Sequence, residues 1–302
     1  MYPTLIDMHM HTTASDGTDS PEEILKAVKD AGIGLFSVTD HDAVKSCVKL
    51  QTLLSENDPV FINGIEFSCK DGGGKYHILG FGYDQNSEAI LNLVEYTHDL
   101  RMQKVQKRLE ALHDIYHVTF PDEEVDALLS LNNPGKPHIG NLMVKYGFAE
   151  SREDAINHFL NQIRIKGTTS IDPKDAIEAI TKSGGIPVLA HPVYGDGSQL
   201  LDEGELTRRI RMLIQYGLRG LECYYSGFSP KEQKMMLNFA HEYDLLASAG
   251  SDYHGRNKMI MLGDTNLDDA NEADEQLHRL LDELVPRGRG QWSLGDGVSG
   301  PF

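Results

Sequence analysis

Residues 4–41 read TLIDMHMHTTASDGTDSPEEILKAVKDAGIGLFSVTDH, and the pattern of that stretch decides the fold. Thr4–His11 alternates like a strand and ends in His9-Met10-His11. Ser20 is placed as a helix N-cap, with Pro21 at the first helical position and Glu23 at the third, and the helix runs to Ala31-Gly32. Leu35–Thr39 is a short apolar run between Gly34 and Asp40, which predicts a strand buried on both faces. That is one strand–helix–strand unit, with an acid or an imidazole at the exit of each strand.

Working outward, the unit repeats. A helix is expected over 43–54, then strands over Val60–Ser68 and Tyr76–Tyr83 joined by Asp71-Gly72-Gly73-Gly74 as a hairpin-like pair. Residues 87–163 carry mostly helical periodicity, interrupted at Pro121 and at Asn132-Asn133-Pro134-Gly135. Strands then return at Ile186–Ala190, Gly220–Cys223 and Leu246–Ala249, between helices at 173–183, 202–216, 230–243 and 273–284. Repeated strand–helix units imply an α/β barrel or a doubly wound sheet. The expected layout is a discontinuous barrel over 1–84 and 171–286, a helical insertion over 85–170, and a Gly-rich, flexible tail over 287–302.

Composition narrows the function. The 302 residues carry a net charge of −18, which repels long duplex nucleic acid and anionic membrane, so a polyanionic ligand would need local cations. Cys47, Cys69 and Cys223 lack CxxC spacing, which excludes a disulfide framework and a thiolate zinc site. The first residues lack the layout of a signal peptide and no apolar run approaches a membrane span, so a soluble cytoplasmic protein is expected.

The 13 histidines sort by position. Those at 98, 113, 117, 158, 241 and 278 fall within helical stretches and read as surface or core residues. His138 apart, the others gather with acids, almost all at or just past strand ends: His9 and His11 on one face of a strand, Asp16, His41, Glu66, His77 within the fourth strand, His191, Asp252 and His254. In a parallel barrel such ends converge on the face where active sites form. Nine donors exceed one coordination shell, so two or three divalent ions are expected. Imidazole with carboxylate and no thiolate suits Mn, Fe or Zn. A central carboxylate such as Glu66 can bridge two ions, and a shared hydroxide of lowered pKa suits hydrolysis of a phosphoester.

Six blocks, His9-Met10-His11-Thr12 with Ser15-Asp16-Gly17, Thr39-Asp40-His41-Asp42, Gly64-Ile65-Glu66-Phe67, His77-Ile78-Leu79-Gly80, Ala190-His191-Pro192 and Gly250-Ser251-Asp252-Tyr253-His254, together resemble the PHP (polymerase and histidinol phosphatase) superfamily. Within it, the chain resembles stand-alone phosphoesterases with a helical insertion, which include nucleoside 3′,5′-bisphosphate phosphatases and a 5′→3′ exoribonuclease acting on short RNA. The resemblance implies a distorted (β/α)7 barrel and a trinuclear site. His9, His11, Glu66 and Asp252 would hold the first ion, Glu66, His77 and His191 the second, and Asp16, His41 and His254 the third. Glu66, Asp252 and His191 are the residues expected to matter most for catalysis, with Asp40 behind them orienting a histidine. In the insertion, Gly135-Lys136-Pro137-His138 matches an Arg-Pro-His segment with Lys for Arg, and Arg164-Ile165-Lys166-Gly167 a basic turn. Lys136, His138, Arg164 and Lys166 are therefore expected to contact a substrate phosphate.

The implied activity is hydrolysis of phosphate monoesters of nucleotides or short oligonucleotides by a metal-bridging hydroxide. A histidinol phosphatase-like enzyme of a non-nucleotide metabolite and a metal-dependent amidohydrolase are the alternatives. A non-catalytic PHP domain is disfavoured by the full ligand set.

Overall fold

The computed structural model describes residues 1–302 except 132, 166, 168, 169, 198, 292, 295–297 and 300–302. The chain forms two compact units, one of Met1–Val94 with Asp172–Phe302 and one of Glu95–Ile171. In chain order the elements are β1 (Ile6–Asp7), α1 (Pro21–Asp30), β2 (Leu35–Val38), α2 (Lys45–Leu53), β3 (Val60–Lys70) and β4 (Lys75–Phe81). The helices α3 (Glu88–Tyr116), α4 (Asp122–Leu129), α5 (Lys136–Lys145) and the single turn α6 (Arg152–Asp154) follow. Then come α7 (Pro173–Lys182), β5 (Ile186–Leu189), α8 (Glu203–Tyr216), β6 (Gly220–Tyr225), α9 (Pro230–Glu242), β7 (Leu246–Gly250) and α10 (Glu275–Leu284).

The seven strands form one sheet in sequential order, β1 to β7. It closes through the segment after β1: Met8 N–H donates to Ala249 O (2.9 Å), Asp252 N–H to His9 O (2.8 Å) and His11 N–H to Tyr253 O (2.8 Å). The first strand is thus shorter than the expected Thr4–His11: only Ile6 and Asp7 pair regularly with β2, and residues 8–11 bond mainly to the exit of β7, with Met10 O also accepting from Thr39 N–H (2.9 Å). The fold is a (β/α)7 barrel.

One element departs from a parallel barrel. β4 runs antiparallel to both β3 and β5, since the turn at 71–74 is too short for a crossover helix and folds the chain straight back. His77, near the start of β4, therefore points into the same end of the barrel as Glu66 near the exit of β3.

Local chemistry explains the helices. Ser20 and Glu23 form a reciprocal capping box, Ser20 N–H donating to Glu23 Oε2 (2.7 Å) and Glu23 N–H to Ser20 Oγ (3.3 Å). The apolar face of α1, with Ile24 and Val28 fully buried, packs with Phe36, Val38 and Leu50. The second unit has its own core, in which Val105 and Leu112 of α3 pack with Phe120, Leu128, Ile139 and Met143. No helix among the described residues is long and apolar enough to cross a membrane.

The start of the expected tail is not loose. Arg289 exchanges both backbone hydrogen bonds with Phe61 of β3 (2.7 and 3.1 Å), and Gln291 N–H donates to Asp58 O (2.7 Å). Residues 287–291 therefore belong to the barrel unit, because β3 presents unpaired backbone groups there that this segment satisfies.

Candidate metal centre

Six of the seven strands deliver a side chain to one end of the barrel. His9 and His11 leave β1, His41 follows β2, Glu66 lies on β3, His77 on β4, His191 follows β5, and Asp252 and His254 follow β7. Glu66 stands at the middle. Its Oε2 faces His9 Nε2 (3.3 Å), His11 Nε2 (3.2 Å) and His41 Nδ1 (3.1 Å). Its Oε1 faces His77 Nδ1 (2.8 Å) and His191 Nε2 (3.3 Å). One carboxylate thus divides its two oxygens between two groups of imidazoles, the arrangement a bridging ligand needs.

A further group forms around Asp16, whose Oδ1 lies 3.2 Å from His254 Nε2 and 3.7 Å from His11 Nδ1, and whose Oδ2 lies 3.9 Å from His41 Nε2. Asp252 Oδ1 completes the ring, 3.4 Å from His11 Nε2, 3.4 Å from His254 Nδ1 and 3.6 Å from His9 Nε2. All nine residues singled out in the sequence meet here, but the groups within ligand reach differ from the expected ones: His11 joins Asp16, His41 and His254, and neither His191 nor Asp252 falls in a group of three or more among the described residues. His41, expected with Asp16 and His254, is also within ligand reach of Glu66 and His77.

The donors fit a cation. His9 Nε2, His11 Nε2, Asp16 Oδ1, Glu66 Oε2 and His191 Nδ1 are buried without a hydrogen-bond partner of good geometry. Several unsatisfied polar atoms buried together and aimed at one another are costly unless something positive sits between them. Without metal, protons take that role. Burial depresses His9, but the carboxylates of Glu222, Glu66 and Asp252 outweigh it and hold the imidazole well above its usual value. His11, also opposed by burial, is held up to about 9 by Asp252, Glu66 and Asp16. Burial raises Glu66, yet the imidazoles of His41, His77 and His9 keep it well below the ordinary carboxylate range. Asp252 is held down in the same way against burial, by His9, His11 and Lys258. His41 goes the other way, pulled well below its usual value by burial and by the neighbouring charges of His11 and His77, against Glu66 and Asp16.

The backbone supports this arrangement at some strain. His191 and Asp252 have φ of 27° and 60°, conformations that non-glycine residues adopt rarely and mostly at functional sites. At Gly250 an added Cβ would stand 2.2 Å from His9 Cβ and 2.7 Å from Glu222 Oε1. Only glycine lets β7 pass so close to the first ligand.

Glu222, on β6, was not among the sequence-derived residues. It is fully buried, accepts from His9 Nδ1 (2.8 Å) through Oε1 and from His191 N–H (2.7 Å) through Oε2. It fixes the tautomer of His9, so that Nε2 turns toward Glu66. The available signal was a lone carboxylate in the apolar run Gly220–Tyr225. Asp252 is held similarly, its Oδ2 accepting from Tyr225 Oη (3.0 Å) and Lys258 Nζ (2.6 Å). Asp40 accepts from Thr12 N–H (2.8 Å), Thr12 Oγ1 (2.7 Å) and Ser15 Oγ (2.6 Å). It fixes the loop between His11 and Asp16 and reaches a histidine ring only indirectly, through Ser15 Oγ at 3.4 Å from His11 Nδ1.

The expected phosphate contacts belong to the second unit. Lys136 opens α5 and donates to Asn161 Oδ1, His138 Nδ1 accepts from Gly135 N–H (3.2 Å), and Arg164 is exposed. Lys166 lies outside the described residues.

A seven-stranded barrel with a ring of imidazoles and carboxylates at one end is the framework of a metal-dependent hydrolase. The chain belongs to the PHP domain family, whose pattern matches residues 7–168. It is similar, at 27% identity, to a phosphoribosyl 1,2-cyclic phosphate 1,2-diphosphodiesterase from Eggerthella lenta, over 83% of this chain and 94% of that one. A 5′-3′ exoribonuclease from Haemophilus influenzae is 27% identical over 93% of this chain and 96% of its own. A crystal structure described as a metal-dependent phosphoesterase from Bifidobacterium adolescentis superposes with a TM-score of 0.74 at 27% identity, covering 92% of this chain and 95% of that one.

Proposed function

We propose that this PHP-family metal-dependent phosphoesterase hydrolyses phosphate monoesters of nucleotides or short oligonucleotides, using two or three divalent ions of the Mn, Fe or Zn type. The division of Glu66 between two groups of imidazoles carries the reading, because a bridged pair of ions is the arrangement that clamps both attacking and leaving oxygens of a phosphoester. His9, His11, Glu66 and Asp252 would hold one ion, Glu66, His77 and His191 a second, and Asp16, His41 and His254 a third. When bound, such ions supply Lewis-acid polarisation of a phosphoryl oxygen and a water acidic enough to lose its proton near neutral pH.

The chain's own residues arrange the approach. His9, His11 and Glu66 are buried to within 1% exposure, whereas His41 and His77 are about 15% exposed and Asp16 is 38% exposed. A substrate phosphate therefore meets Asp16, His41 and His77 first. Glu222 and Tyr225 sit behind His9 and Asp252 and keep them from turning away. The cationic residues Lys136 and Arg164, with His138 and Lys166, are assigned to a phosphate remote from the scissile one. A small substrate also fits the charge of −18, which disfavours a long polyanion. The relatives named for RNA and for a nucleoside bisphosphate phosphatase, the latter from Chromobacterium violaceum at 24% identity over 82% of this chain, support this class. Three buried free thiols suit a reducing, cytoplasmic setting.

The test is a screen of phosphorylated metabolites on metal-reconstituted protein, including nucleoside 3′,5′-bisphosphates and short RNA, with release of inorganic phosphate or mononucleotides as readout. Turnover confined to amide substrates, or efficient internal cleavage of long duplexes, would refute the proposal.

A further inference from the structure

The loop that follows His254 holds a cation against the metal centre. Lys258 Nζ donates to Asp252 Oδ2 (2.6 Å), while Asp252 Oδ1 faces His11 Nε2 (3.4 Å) and His9 Nε2 (3.6 Å). We propose that Lys258 is a catalytic residue, whose ammonium donates a second N–H to a non-bridging oxygen of the phosphoryl group under attack. The proposal rests on the phosphoesterase reading and deepens it.

Asp252 does not need the lysine to be oriented. Its Oδ2 also accepts from the buried Tyr225 Oη (3.0 Å). An ammonium has three donors and no acceptor, and among the described residues Asp252 is the one partner that Lys258 Nζ has. The lysine side chain is 38% exposed against 6% for Asp252, and an ion pair open to solvent adds little to stability. Two N–H groups are thus left over beside a proposed metal ligand.

They stand on the rim by which a phosphate enters. Asp16 is as exposed as Lys258, whereas His9, His11 and Glu66 lie almost wholly inside. The two rim loops are pinned together, Asn257 Nδ2 donating to Asp16 O (2.7 Å) and Arg256 N–H to Thr18 Oγ1 (3.0 Å). Gly255 makes that approach possible, with φ of 63° and only 2.1 Å between an added Cβ and Thr18 Oγ1. On the far side of Lys258, Gly263 N–H donates to the buried carboxylate of Asp7 (2.8 Å). A cation held from both sides needs little reorganisation when a charged group arrives.

Such a cation has a task here. A phosphoryl group brings negative charge to a ring that already contains Asp16, Glu66 and Asp252, and Lys258 offsets that repulsion at its outer edge. Lysine acts as a point charge on a flexible stem, so it can keep Asp252 with one N–H and turn another to the substrate. In the step itself, the oxygen of water bonds to phosphorus as the ester P–O bond breaks. Alcohol and phosphate leave with the protons of the water. Lys258 gains and loses no proton; it stabilises the charge that the non-bridging oxygens carry through the transition state.

The test compares metal-loaded wild type with Lys258→Met and Lys258→Arg, and uses tungstate, an unreactive tetrahedral dianion, as the binding probe. In Lys258→Met, kcat/KM should fall about a hundredfold on p-nitrophenyl phosphate and nucleotide substrates alike, the loss for removing one donor to a reacting oxygen. Tungstate should bind about tenfold more weakly by titration calorimetry. Metal content, and metal affinity by chelator competition, should equal those of wild type. Lys258→Arg should recover part of both losses. Metal affinity falling in step with activity, with tungstate binding unchanged on the reloaded protein, would make Lys258 a positioning residue for Asp252 and overturn the proposal. A loss confined to doubly phosphorylated substrates, or no loss at all, would overturn it too. A wild type that hydrolyses no phosphoester would refute the phosphoesterase reading instead, and tungstate binding that Lys258→Met leaves unchanged would then dispose of the lysine contact separately.

Discussion

The two compact units solve opposite problems. The helical unit buries Val105, Leu112, Phe120, Leu128, Ile139 and Met143, and apolar contact alone can stabilise it. The barrel unit buries Asp7, His9, His11, Glu66 and Glu222 as completely as its leucines. Desolvating those groups opposes folding, and the barrel recovers the loss only when each charge finds its complement. One unit is finished by its own side chains. The other is finished by what it binds.

If that contrast is right, Glu66→Gln should do the most damage. It removes the charge shared by both imidazole groups, so kcat/KM should fall by about three orders of magnitude, or ~4 kcal/mol. Metal content by elemental analysis should drop below two equivalents while the far-ultraviolet signal of the helices persists. Full metal content with near-normal turnover would break the contrast.

Glu222→Gln is the sharper probe, because Glu222 touches His9 and the His191 backbone but none of the proposed ions. Loss of an orienting partner of this kind costs about 10–100-fold in metal affinity or activity. Added metal should restore part of the activity in Glu222→Gln, and a chelator competition should show the weakened affinity. A variant indistinguishable from wild type would reduce Glu222 to a packing residue.

Acidity should affect the barrel's ligand set specifically. In the metal-free protein His9 is held well above its usual value and His11 at about 9, so both are protonated at pH 7, while Glu66, Asp252 and Asp16 are already ionised. Metal binding must then expel protons from the histidines alone, and affinity should rise as pH approaches about 9, by up to about tenfold per pH unit for each proton released. Calorimetry in buffers of different ionisation enthalpy should register that release. The stabilisation His11 gives the metal-free fold is complete below the ordinary value of 6.5 and lost as pH rises through about 9, and His9, also held up, acts in the same direction. The metal-free protein should therefore melt earlier at pH 10 than at pH 7, and the metal-loaded protein should be much less sensitive.

The smallest effect belongs to the helical unit. Lys136→Ala or Arg164→Ala should leave metal content intact and lower kcat/KM for a doubly phosphorylated substrate by about tenfold, near the low end for losing a charged hydrogen bond. Turnover of p-nitrophenyl phosphate should hardly change. Equal losses on both substrates would assign these residues to the reacting phosphate or to the fold.

The sequence exposed what is periodic or clustered. Capped helices, buried strands and the donors at strand exits are local patterns, and His9, His11, Asp16, His41, Glu66, His77, His191, Asp252 and His254 could all be found that way. The reversal of β4 is legible too, in the short Gly-rich turn at 71–74, and it brings His77 to the same end as Glu66 from the start of its strand. Two things are not local. Glu222 is one carboxylate in an apolar strand, and only its partners, 213 and 31 residues away, reveal its role. Arg287–Gln291 has no periodicity at all, and only the exposed edge of β3 shows why it is held.

The closure of the barrel by residues 8–11 against 249–253 also sets an order on synthesis. His9 and His11 leave the ribosome long before Asp252, whose N–H bonds to His9 O. Domains fold as units as the chain appears, and contacts so distant in sequence slow the final step. Until β7 is made, the paired histidines stand on an open sheet with no Asp252, Glu222 or His191 to orient them. A half-made chain therefore carries the His9-Met10-His11 pair without the ring that orients it, and the donor set is complete only when the barrel shuts.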